Sequence, residues 1–545
     1  MEHPLRMLTP KKMHSSQMPH SKPAKRKDKT MYKLYTSAVE LLDTAAEKFG
    51  DRVAFRDAYG EITFAGLKTA SRKLATALMT KADTGRTRPV MVYLPKSINS
   101  IVSFMGSMYS GSPYVPMDYA VPLARFCATA KNLCPTAVIT DASGKEKLDT
   151  LGLDIPILIF DELVTVDADH AAIDRVLNTA TDLDAAYIMY TSGSTGTPKG
   201  VTISHRAVLD YTKWLTDTFD ISKDSIIGMQ SAFHFDNSVF DMFAALYVGC
   251  TTVIIPEVLF MYPEKLFDYL DEQEISIIFW VPTVMISVAN SGVLSKKRLS
   301  KLRLILFAGE VMPIRQLNDW IESYPDCKFV NMYGPTEATD IVLYYVVDRK
   351  FSPGETLPIG IPCANMKALI LDADGKPCKQ GEQGELLISG SGIASGYWNS
   401  PDITEKAFIQ NPLNNKYRDI LYRTGDLVYM ADDGNIMFCG RADSQIKLRG
   451  NRIELGDIEA AAAAMDNIKN CCAMFSHETE EIFLFLETDT EIVQRKFNME
   501  LKKVLPAYMI PQKIISMQSF PHTPSGKIDR QLLKKDYITE RNNLK

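Results

Sequence analysis

The spacing of apolar residues divides most of the chain into amphipathic helices and short strands. Apolar positions at helical spacing predict helices over residues 38–49 and 67–79. Apolar runs predict strands at residues 53–55, 62–64, 89–94, 137–140, 155–160, 185–189, 251–255, 275–281 and 302–307. Because helical segments separate several of these strands, the pattern favours an α/β domain with largely parallel sheets.

The pattern changes after about residue 340. Shorter strands at residues 367–371, 385–388 and 436–439 alternate with turn sequences, which predicts a smaller β-rich lobe. Residues 443–545 then mix strands and helices over about 100 residues, enough for a separate small domain. At 545 residues the chain is also longer than one ordinary core, so two or more domains are expected.

Composition narrows the cellular setting. A net charge of −5 gives no general reason to expect nucleic-acid binding. Nine cysteines without a C-x-x-C pair favour reduced cytosolic thiols over a zinc site or a disulfide framework. The apolar runs are too short to span a bilayer and no signal-peptide core is present, so we expect a cytoplasmic protein with no membrane contact.

Residues 1–30 differ from the rest of the chain. They hold eight basic and two acidic residues and show no apolar periodicity, which predicts a disordered basic tail. A nucleic-acid or membrane contact and an over-extended start upstream of Met31 are the other interpretations. Whether the tail belongs to the native protein therefore stays open.

One glycine-rich string carries the clearest chemistry. Residues 190–200 read Tyr-Thr-Ser-Gly-Ser-Thr-Gly-Thr-Pro-Lys-Gly, between an apolar run and a helical segment that Ser204 opens. Such a loop turns backbone N–H groups toward one centre, and its hydroxyls and Lys199 add donors, as a phosphate chain requires. It is not a Walker A loop, because that pattern fails at Pro198 and Gly200. A flexible surface turn is the alternative.

Further strings follow in a fixed order. They are Phe-Asp-Asn-Ser at 235–238, Asn-Met-Tyr-Gly-Pro-Thr-Glu at 331–337, Gly-Glu-Leu-Leu-Ile-Ser-Gly at 384–390, Tyr-Arg-Thr-Gly-Asp-Leu at 422–427, the run at 440–459, Leu-Pro-Ala-Tyr-Met-Ile-Pro at 505–511 and Thr-Pro-Ser-Gly-Lys-Ile-Asp-Arg at 523–530. Over residues 37–535 the chain resembles adenylate-forming enzymes, namely the amino-acid adenylation domains of nonribosomal peptide synthetases and the free-standing D-alanine–carrier protein ligases. The resemblance implies a large N-terminal adenylation domain over 31–441 and a small mobile α+β lid domain over 442–545, with the active site between them.

The resemblance also implies ATP and Mg²⁺ as cofactors. Holding a carboxylate against a phosphate chain requires cations and fixed N–H donors. Lys527 and Lys199 are implied as catalytic, Glu337 as the magnesium ligand and Asp443 as the hinge. The implied ATP-binding residues are Thr191, Ser192, Gly193, Ser194, Thr195, Gly196, Asn331, Tyr333, Thr336, Asp426, Phe438 and Arg441.

Several of these roles have ordinary alternatives. Phe438 alone is typical of a core residue, Asp443 of a solvated loop carboxylate and Lys527 of a surface lysine. Asp426 would accept from both ribose hydroxyls, as a carboxylate can, although Thr-Gly-Asp could equally be a turn. The order of the strings makes the nucleotide roles the better interpretation.

The acyl pocket is likewise carried over position by position. Its implied lining is Asp236, Asn237, Phe240, Phe279, Leu306, Ala308, Met332, Asp340 and Ile341. Asp236 would pair with the substrate ammonium, or would simply cap the following helix. Asp340 would meet a hydroxyl or cationic substrate side chain, or would face water at the pocket rim. D-Alanine ligases typically have cysteine where this chain has Ala308, so we expect a small or medium α-amino acid rather than D-alanine in particular.

The implied reaction has two steps. The amino acid attacks ATP to give aminoacyl-AMP and pyrophosphate, and the acyl group then passes to the phosphopantetheine thiol of a separate carrier protein. Lys447, Arg449, Gly450 and Arg452 would face the thiol tunnel, unless they form a plain solvated loop. About fifteen residues follow Arg530, which leaves no room there for a fused carrier domain.

Two other functions remain open at this stage. An acyl-CoA synthetase or acyl-AMP ligase would act on a carboxylic acid without an amino group. A catalytically silent nucleotide-binding protein would lack the charged residues of the site, but Lys199, Glu337, Asp426 and Lys527 are all in place.

The match at 523–530 generates a first prediction. Lys527→Ala should abolish adenylation while leaving ATP binding largely intact, because it removes a cation where charge develops. Losing one such contact typically costs about a hundredfold or more in rate. The measurement is ATP–pyrophosphate exchange beside equilibrium ATP binding, and exchange within a few-fold of wild type would remove the catalytic role.

Overall fold

The structure is a computed structural model that describes residues 35–191, 198–352, 354–441, 445–465, 467–476, 478–521 and 528–539. The tail predicted over residues 1–30 lies outside this part. In residues 35–191 the helices are α1 Glu40–Phe49, α2 Phe64–Lys81, α3 Ile98–Tyr109, α4 Leu123–Leu133, α5 Ala142–Asp149, α6 Phe160–Leu163 and α7 His170–Thr179. The strands there are β1 Val53–Arg56, β2 Glu61–Thr63, β3 Val90–Tyr93, β4 Tyr114–Pro116, β5 Ala137–Thr140, β6 Ile157–Ile159 and β7 Ala185–Thr191.

The middle of the chain alternates strands and helices. The strands are β8 Lys199–Ser204, β9 Ile226–Met229, β10 Thr251–Ile254, β11 Ile277–Trp280, β12 Leu304–Ala308, β13 Lys328–Tyr333 and β14 Leu343–Val347. The helices are α8 His205–Thr218, α9 Asn237–Val248, α10 Pro263–Glu272, α11 Pro282–Asn290 and α12 Ile314–Ser323. Three-residue to five-residue 3₁₀ turns occur at Glu257–Met261, Val293–Ser295 and Thr336–Ala338.

The rest of the described chain is richer in strands. These are β15 Ile361–Pro362, β16 Met366–Leu371, β17 Gly384–Gly390, β18 Phe408–Gln410, β19 Ile420–Met430, β20 Ile436–Arg441, β21 Gln445–Leu448, β22 Asn451–Glu454, β23 Asn470–Ser476, β24 Glu481–Glu487 and β25 Lys513–Met517. The helices are α13 Pro401–Ala407, α14 Leu455–Ala463, α15 Gln494–Leu501 and α16 Arg530–Lys534, which continues as a π-helix over Lys535–Thr539. A 3₁₀ turn covers Ala507–Met509.

Two large sheets form the frame of the molecule. One has nine strands in the order β15-β14-β13-β12-β11-β9-β10-β1-β2 and is parallel from β13 to β1, with antiparallel strands at its edges. The other has six strands in the order β6-β5-β3-β4-β7-β8 and is parallel except for the β7–β8 pair. The predicted α/β class with parallel-rich sheets is confirmed.

Smaller sheets follow in chain order. Strands β16, β17, β18, β19 and β20 form an antiparallel five-stranded sheet, which is the predicted β-rich lobe. Strands β21 and β22 form a hairpin, and β23, β24 and β25 form a third small sheet. The residues after Gln445 bury their own apolar clusters, one of which centres on Ile453, Ile458 and Leu484. The predicted boundary at residues 441–442 stays a prediction.

The glycine-rich string lies in a hairpin rather than between a strand and a helix. Strand β8 pairs antiparallel with β7, and Thr191 lies opposite Lys199. The expected passage from loop directly into helix was therefore wrong, because β-branched Val201, Thr202 and Ile203 favour an extended strand. Helix α8 then begins at His205, and the Ser204 hydroxyl caps it by accepting from the Ala207 N–H at 3.3 Å.

Among the described residues, every helix is too short or too polar to cross a membrane.

Candidate active site

A cavity of about 100 Å³ forms where the two large sheets, the five-stranded sheet and the β21–β22 hairpin meet. Ala308 ends β12, Gly334 follows β13 and Thr191 ends β7, so the carboxyl ends of strands open into it. In α/β sheets this edge is the usual place for ligands. Its full lining is Tyr190, Thr191, His234, Phe235, Asp236, Asn237, Ala308, Gly309, Gly334, Pro335, Thr336, Asp340, Ile341, Thr424, Asp426, Arg441, Gln445, Lys447, Gly450, Arg452 and Tyr508.

A buried carboxylate, Asp426, holds one side of the cavity. The Arg441 guanidinium donates to its Oδ1 at 2.6 Å, and the Tyr333 hydroxyl donates to its Oδ2. The Asp426 backbone N–H donates to the Thr424 hydroxyl at 3.0 Å. The structure therefore brings together three residues that were predicted separately as nucleotide contacts. Burial raises the pKa of the Tyr333 phenol well above its ordinary value, and the Asp426 charge adds to the rise.

Two other predicted nucleotide residues have structural contacts. The Asn331 side chain donates to the Pro358 carbonyl at 2.7 Å, which fixes the segment before β15 against β13. The partly buried Phe438 packs against the cluster that includes Tyr333 and Ile388. The structure thus shows Phe438 in the core contact that the sequence analysis gave as its alternative role.

Glu337 is fully buried and both of its carboxylate oxygens are occupied. The Tyr397 hydroxyl donates to Oε1 at 2.7 Å, and Arg452 Nη1 donates to Oε2 at 2.7 Å. Burial alone would raise the pKa of Glu337, but the Arg452 charge and the two hydrogen bonds outweigh it and hold that pKa below its ordinary value. Glu337 is therefore ionised, and Arg452 of β22 neutralises its charge.

A short segment connects Glu337 to the β7–β8 hairpin. The Thr202 N–H donates to the Gly396 carbonyl at 3.0 Å, and the Ser395 N–H donates back to Thr202 at 2.9 Å. The Trp398 N–H donates to the Gly200 carbonyl at 2.7 Å. The segment 394–398 thus runs along β8 and carries the Tyr397 hydroxyl to Glu337. The Lys199 ammonium lies 5.7 Å from the Tyr397 ring centroid.

Asp236 occupies the N-cap position of α9 but makes no capping hydrogen bond with its side chain. The capping interpretation of this residue is therefore wrong, and the carboxylate lines the cavity instead. Burial raises its pKa, while a hydrogen bond from Thr336 and the charge of Lys447 oppose the rise. Asp236 is a carboxylate that a cationic ligand would stabilise.

The structure brings part of the predicted acyl pocket to the cavity. Its lining contains Asp236, Asn237, Ala308, Asp340 and Ile341, whereas Phe240, Phe279, Leu306 and Met332 are buried and are not part of that lining. Phe240 and Phe279 meet edge to face at 5.7 Å between ring centroids. The apolar members of the pocket all belong to one buried cluster, and they are Phe240, Phe279, Leu306, Ala308, Met332 and Ile341. Asn237 begins α9 and lines the same cavity.

Asp340 is 3% exposed and does not face water at the rim, so that interpretation was wrong. The Tyr211 hydroxyl of α8 donates to its Oδ2 at 2.5 Å. Asp340 has φ 68°, in the left-handed region that aspartate tolerates better than most residues. Its carbonyl also lies 1.9 Å from where a Cβ on Gly334 would be, so position 334 requires glycine.

The β21–β22 hairpin places a basic segment inside the site. The Lys447 ammonium lies 5.6 Å from the Tyr333 ring centroid, and burial lowers its pKa while Asp426 and Asp236 oppose the fall. The Gly450 N–H donates to Glu310 Oε1 at 2.7 Å. Gly450 has φ 77°, and a Cβ there would lie 2.9 Å from Val281 Cγ1. Lys447, Gly450 and Arg452 therefore line the cavity, whereas Arg449 is exposed.

Some predicted residues lie outside the described chain. They are Ser192, Gly193, Ser194, Thr195 and Gly196 of the glycine-rich loop, the hinge Asp443 and the catalytic Lys527. Thr191 is described, and its hydroxyl is buried without a partner among the described residues. The sequence analysis did not predict Tyr211, Glu310 or Tyr397 as site residues. For Glu310 and Tyr397 the sequence offered one weak signal, a glycine directly before each of them, and for Tyr211 it offered none.

Glu337 could bind magnesium only if Arg452 left its carboxylate. Mg²⁺ prefers hard oxygen ligands and usually takes one or two carboxylates together with substrate phosphates. The described residues contain no cluster of three or more acidic, histidine or cysteine side chains that would hold a metal without a phosphate. Glu337 fits a metal bound to phosphates once Arg452 has withdrawn from Oε2.

A larger cleft of about 940 Å³ lies between α4 and helices α14 and α15. Arg125 and Asp457 face each other across it at 3.9 Å. Ala128, Ala461 and Val504 give much of its wall an apolar surface. It lacks the convergent buried carboxylates of the smaller cavity, which is therefore the candidate active site.

Comparison with known proteins agrees with the geometry. The family described as AMP-binding enzyme matches residues 42–398. The chain is 32% identical to the D-alanine–D-alanyl carrier protein ligase of Listeria monocytogenes over 92% of this chain and 99% of that protein. It is 33% identical to bacitracin synthase 1 of Bacillus licheniformis over 93% of this chain, but it spans only 9% of that much longer protein.

Solved structures share the fold. The o-succinylbenzoate CoA synthetase of Bacillus subtilis superimposes with a TM-score of 0.79 at 20% sequence identity, covering 91% of this chain and 97% of that one. At this identity the likeness concerns the fold alone.

The Arg452–Glu337 ion pair generates a prediction about stability. Arg452→Gln should lower the free energy of unfolding by about 3–5 kcal/mol, because it leaves a fully buried carboxylate without a cation. The measurement is urea unfolding, compared with Arg423→Gln, which breaks the more exposed pair with Glu385. Equal losses in the two variants would mean that Arg452 contributes no more than a surface ion pair.

Proposed function

Because this chain belongs to the family of AMP-binding enzymes, we propose that it activates a small or medium α-amino acid with ATP and passes it to a carrier-protein thiol. The observation that carries the proposal is the uncapped carboxylate of Asp236 in the same cavity as the Tyr333–Asp426–Arg441 group. One part suits a substrate ammonium and the other suits a nucleoside. The likeness to a D-alanine–D-alanyl carrier protein ligase over nearly its whole length supports the carrier protein as acceptor.

In the first step the substrate carboxylate attacks the α-phosphorus of ATP. A mixed anhydride forms, the bond to the β-phosphate breaks and pyrophosphate leaves. Asp236 orients the substrate by pairing with its ammonium, and Lys199 and Lys527 supply positive charge near the phosphates. Asp426 accepts hydrogen bonds from the ribose hydroxyls. Its two oxygens then accept from the ribose as well as from Arg441 and Tyr333. Magnesium at Glu337 would neutralise phosphate charge when bound.

In the second step the carrier thiol attacks the acyl carbonyl. A thioester forms, AMP leaves and the thiol loses its proton. The β21–β22 hairpin in the cavity supports an arrangement suited to this step, because Arg452 then compensates Glu337 after pyrophosphate has gone. A lid over residues 442–545 that turns at Asp443 would remove the hairpin and bring Lys527 in for the first step.

The proposal predicts ATP–pyrophosphate exchange that depends on an amino acid. A panel of L- and D-amino acids should include at least one that drives exchange, together with loading of a phosphopantetheinylated carrier protein. Fatty and aryl acids of similar size serve as controls. Exchange driven only by acids without an amino group would replace the proposal with an acyl-CoA synthetase or acyl-AMP ligase.

The role of Asp236 gives a separate prediction. Asp236→Ala should raise the amino-acid KM far more than the ATP KM, because it removes one charge-assisted contact worth roughly 1.5–3 kcal/mol. The measurement is exchange kinetics with each substrate varied in turn. Asp217→Ala, which removes an exposed carboxylate paired with Lys213, is the control. A proportional rise in both KM values would argue against the ammonium contact.

A further inference from the structure

The acyl pocket contains a second carboxylate for which the proposed reaction has no use. Asp340 lines the same cavity as Asp236, and within the described ranges the Tyr211 hydroxyl is the one side chain that donates a hydrogen bond to it. Two other buried carboxylates of the site have a cation, since Asp426 pairs with Arg441 and Glu337 with Arg452, whereas Asp236 is the proposed partner of the substrate α-ammonium. Among the described residues, no lysine or arginine forms an ion pair with Asp340.

The charged groups that act on Asp340 make the ionised form of its carboxyl less favourable. Burial first, and then the charges of Asp236 and Asp241, raise the pKa of Asp340 well above its ordinary value. A buried carboxylate in this setting is stabilised by a proton or by a cation brought in from outside. The cavity that Asp340 lines is the route by which such a cation would arrive.

Unpartnered polar atoms surround the same place. The Asn237 side-chain amide nitrogen is buried and has no hydrogen-bond partner within the described ranges. The Tyr187 hydroxyl, on a fully buried side chain, also lacks one there. Asp236 and Asp340 both act electrostatically on Tyr187, which is not part of the cavity lining. Since buried polar groups in folded proteins are nearly always paired, the Asn237 amide in the lining indicates a polar ligand group.

The size of the pocket limits that ligand. Asp236 and Asp340 both line one cavity of about 100 Å³ and act on each other electrostatically. A ligand that meets both carboxylates in this cavity presents two cationic groups a short distance apart. The polar group must therefore be close to the α-carbon.

Building on the proposed function, we propose that the substrate is a short diamino acid whose side-chain ammonium pairs with Asp340 while its α-ammonium pairs with Asp236. Tyr211 orients the Asp340 carboxylate, and the Asn237 amide completes the polar surroundings. Two carboxylates then hold two ammonium groups, and the substrate carboxylate alone remains free to attack ATP.

The test uses side chains matched in size. 2,3-Diaminopropionate is compared with serine and 2-aminobutyrate, and 2,4-diaminobutyrate with homoserine and norvaline, each as both enantiomers. In ATP–pyrophosphate exchange, kcat/KM should be at least tenfold higher for a diamino acid than for its two matched partners. Equal or better activity with the apolar partner, or a preference for the hydroxyl partner, would overturn the inference.

A variant isolates Asp340. Asp340→Asn keeps an acceptor for Tyr211 and tolerates positive φ, but it removes the charge. The ratio of kcat/KM for the diamino acid to that for its apolar partner should fall at least tenfold. Asp217→Asn, on the exposed face of the helix that carries Tyr211, should leave the ratio unchanged. An unchanged ratio in Asp340→Asn would also overturn the inference.

The outcomes separate the two proposals. If no amino acid drives exchange, the proposed function itself fails. If amino acids drive exchange but the matched series shows no preference for a second ammonium group, only the diamino assignment fails. The comparison of substrates on the wild-type protein tests the diamino assignment even where the Asp340 variant does not fold.

Discussion

The burial of negative charge governs the arrangement of this site. Glu337 is fully enclosed, and the group that neutralises it is Arg452, 115 residues further along the chain. An uncompensated carboxylate at that depth would be costly, so the position of the β21–β22 hairpin and the charge state of Glu337 depend on each other. Under the proposed function, a metal bound to phosphates and Arg452 would be alternative partners for this carboxylate. Exchange between them would link the ligand in the site to the position of the hairpin.

The same reasoning explains the other carboxylates. Asp426 is satisfied within the protein by Arg441 and Tyr333, whereas Asp236 and Asp340 line the cavity without an ion pair among the described residues. Two carboxylates that line one cavity favour a cationic ligand over a neutral one.

Much of the frame could be predicted from local sequence, because strands such as β5 and helices such as α2 have apolar patterns that neighbouring residues determine. The strings around Asp236, Tyr333 and Asp426 could be found because each is short and contiguous. Tyr211 and Glu310 could not, since their partners lie 129 and 140 residues away. Strand β8 was missed although its β-branched residues Val201, Thr202 and Ile203 favour an extended strand, because its pairing with β7 cannot be seen in residues 199–204 alone.

The segment 394–398 connects strand β8 to the Glu337 carboxylate. It hydrogen-bonds along β8 on one side and presents the Tyr397 hydroxyl to Glu337 on the other. The position of the Tyr397 hydroxyl therefore depends on the backbone of β8, because the hydrogen bonds between Thr202 and residues 395 and 396 hold the segment along that strand. Glu337 is thus fixed from two directions, by this segment through Tyr397 and by the β21–β22 hairpin through Arg452.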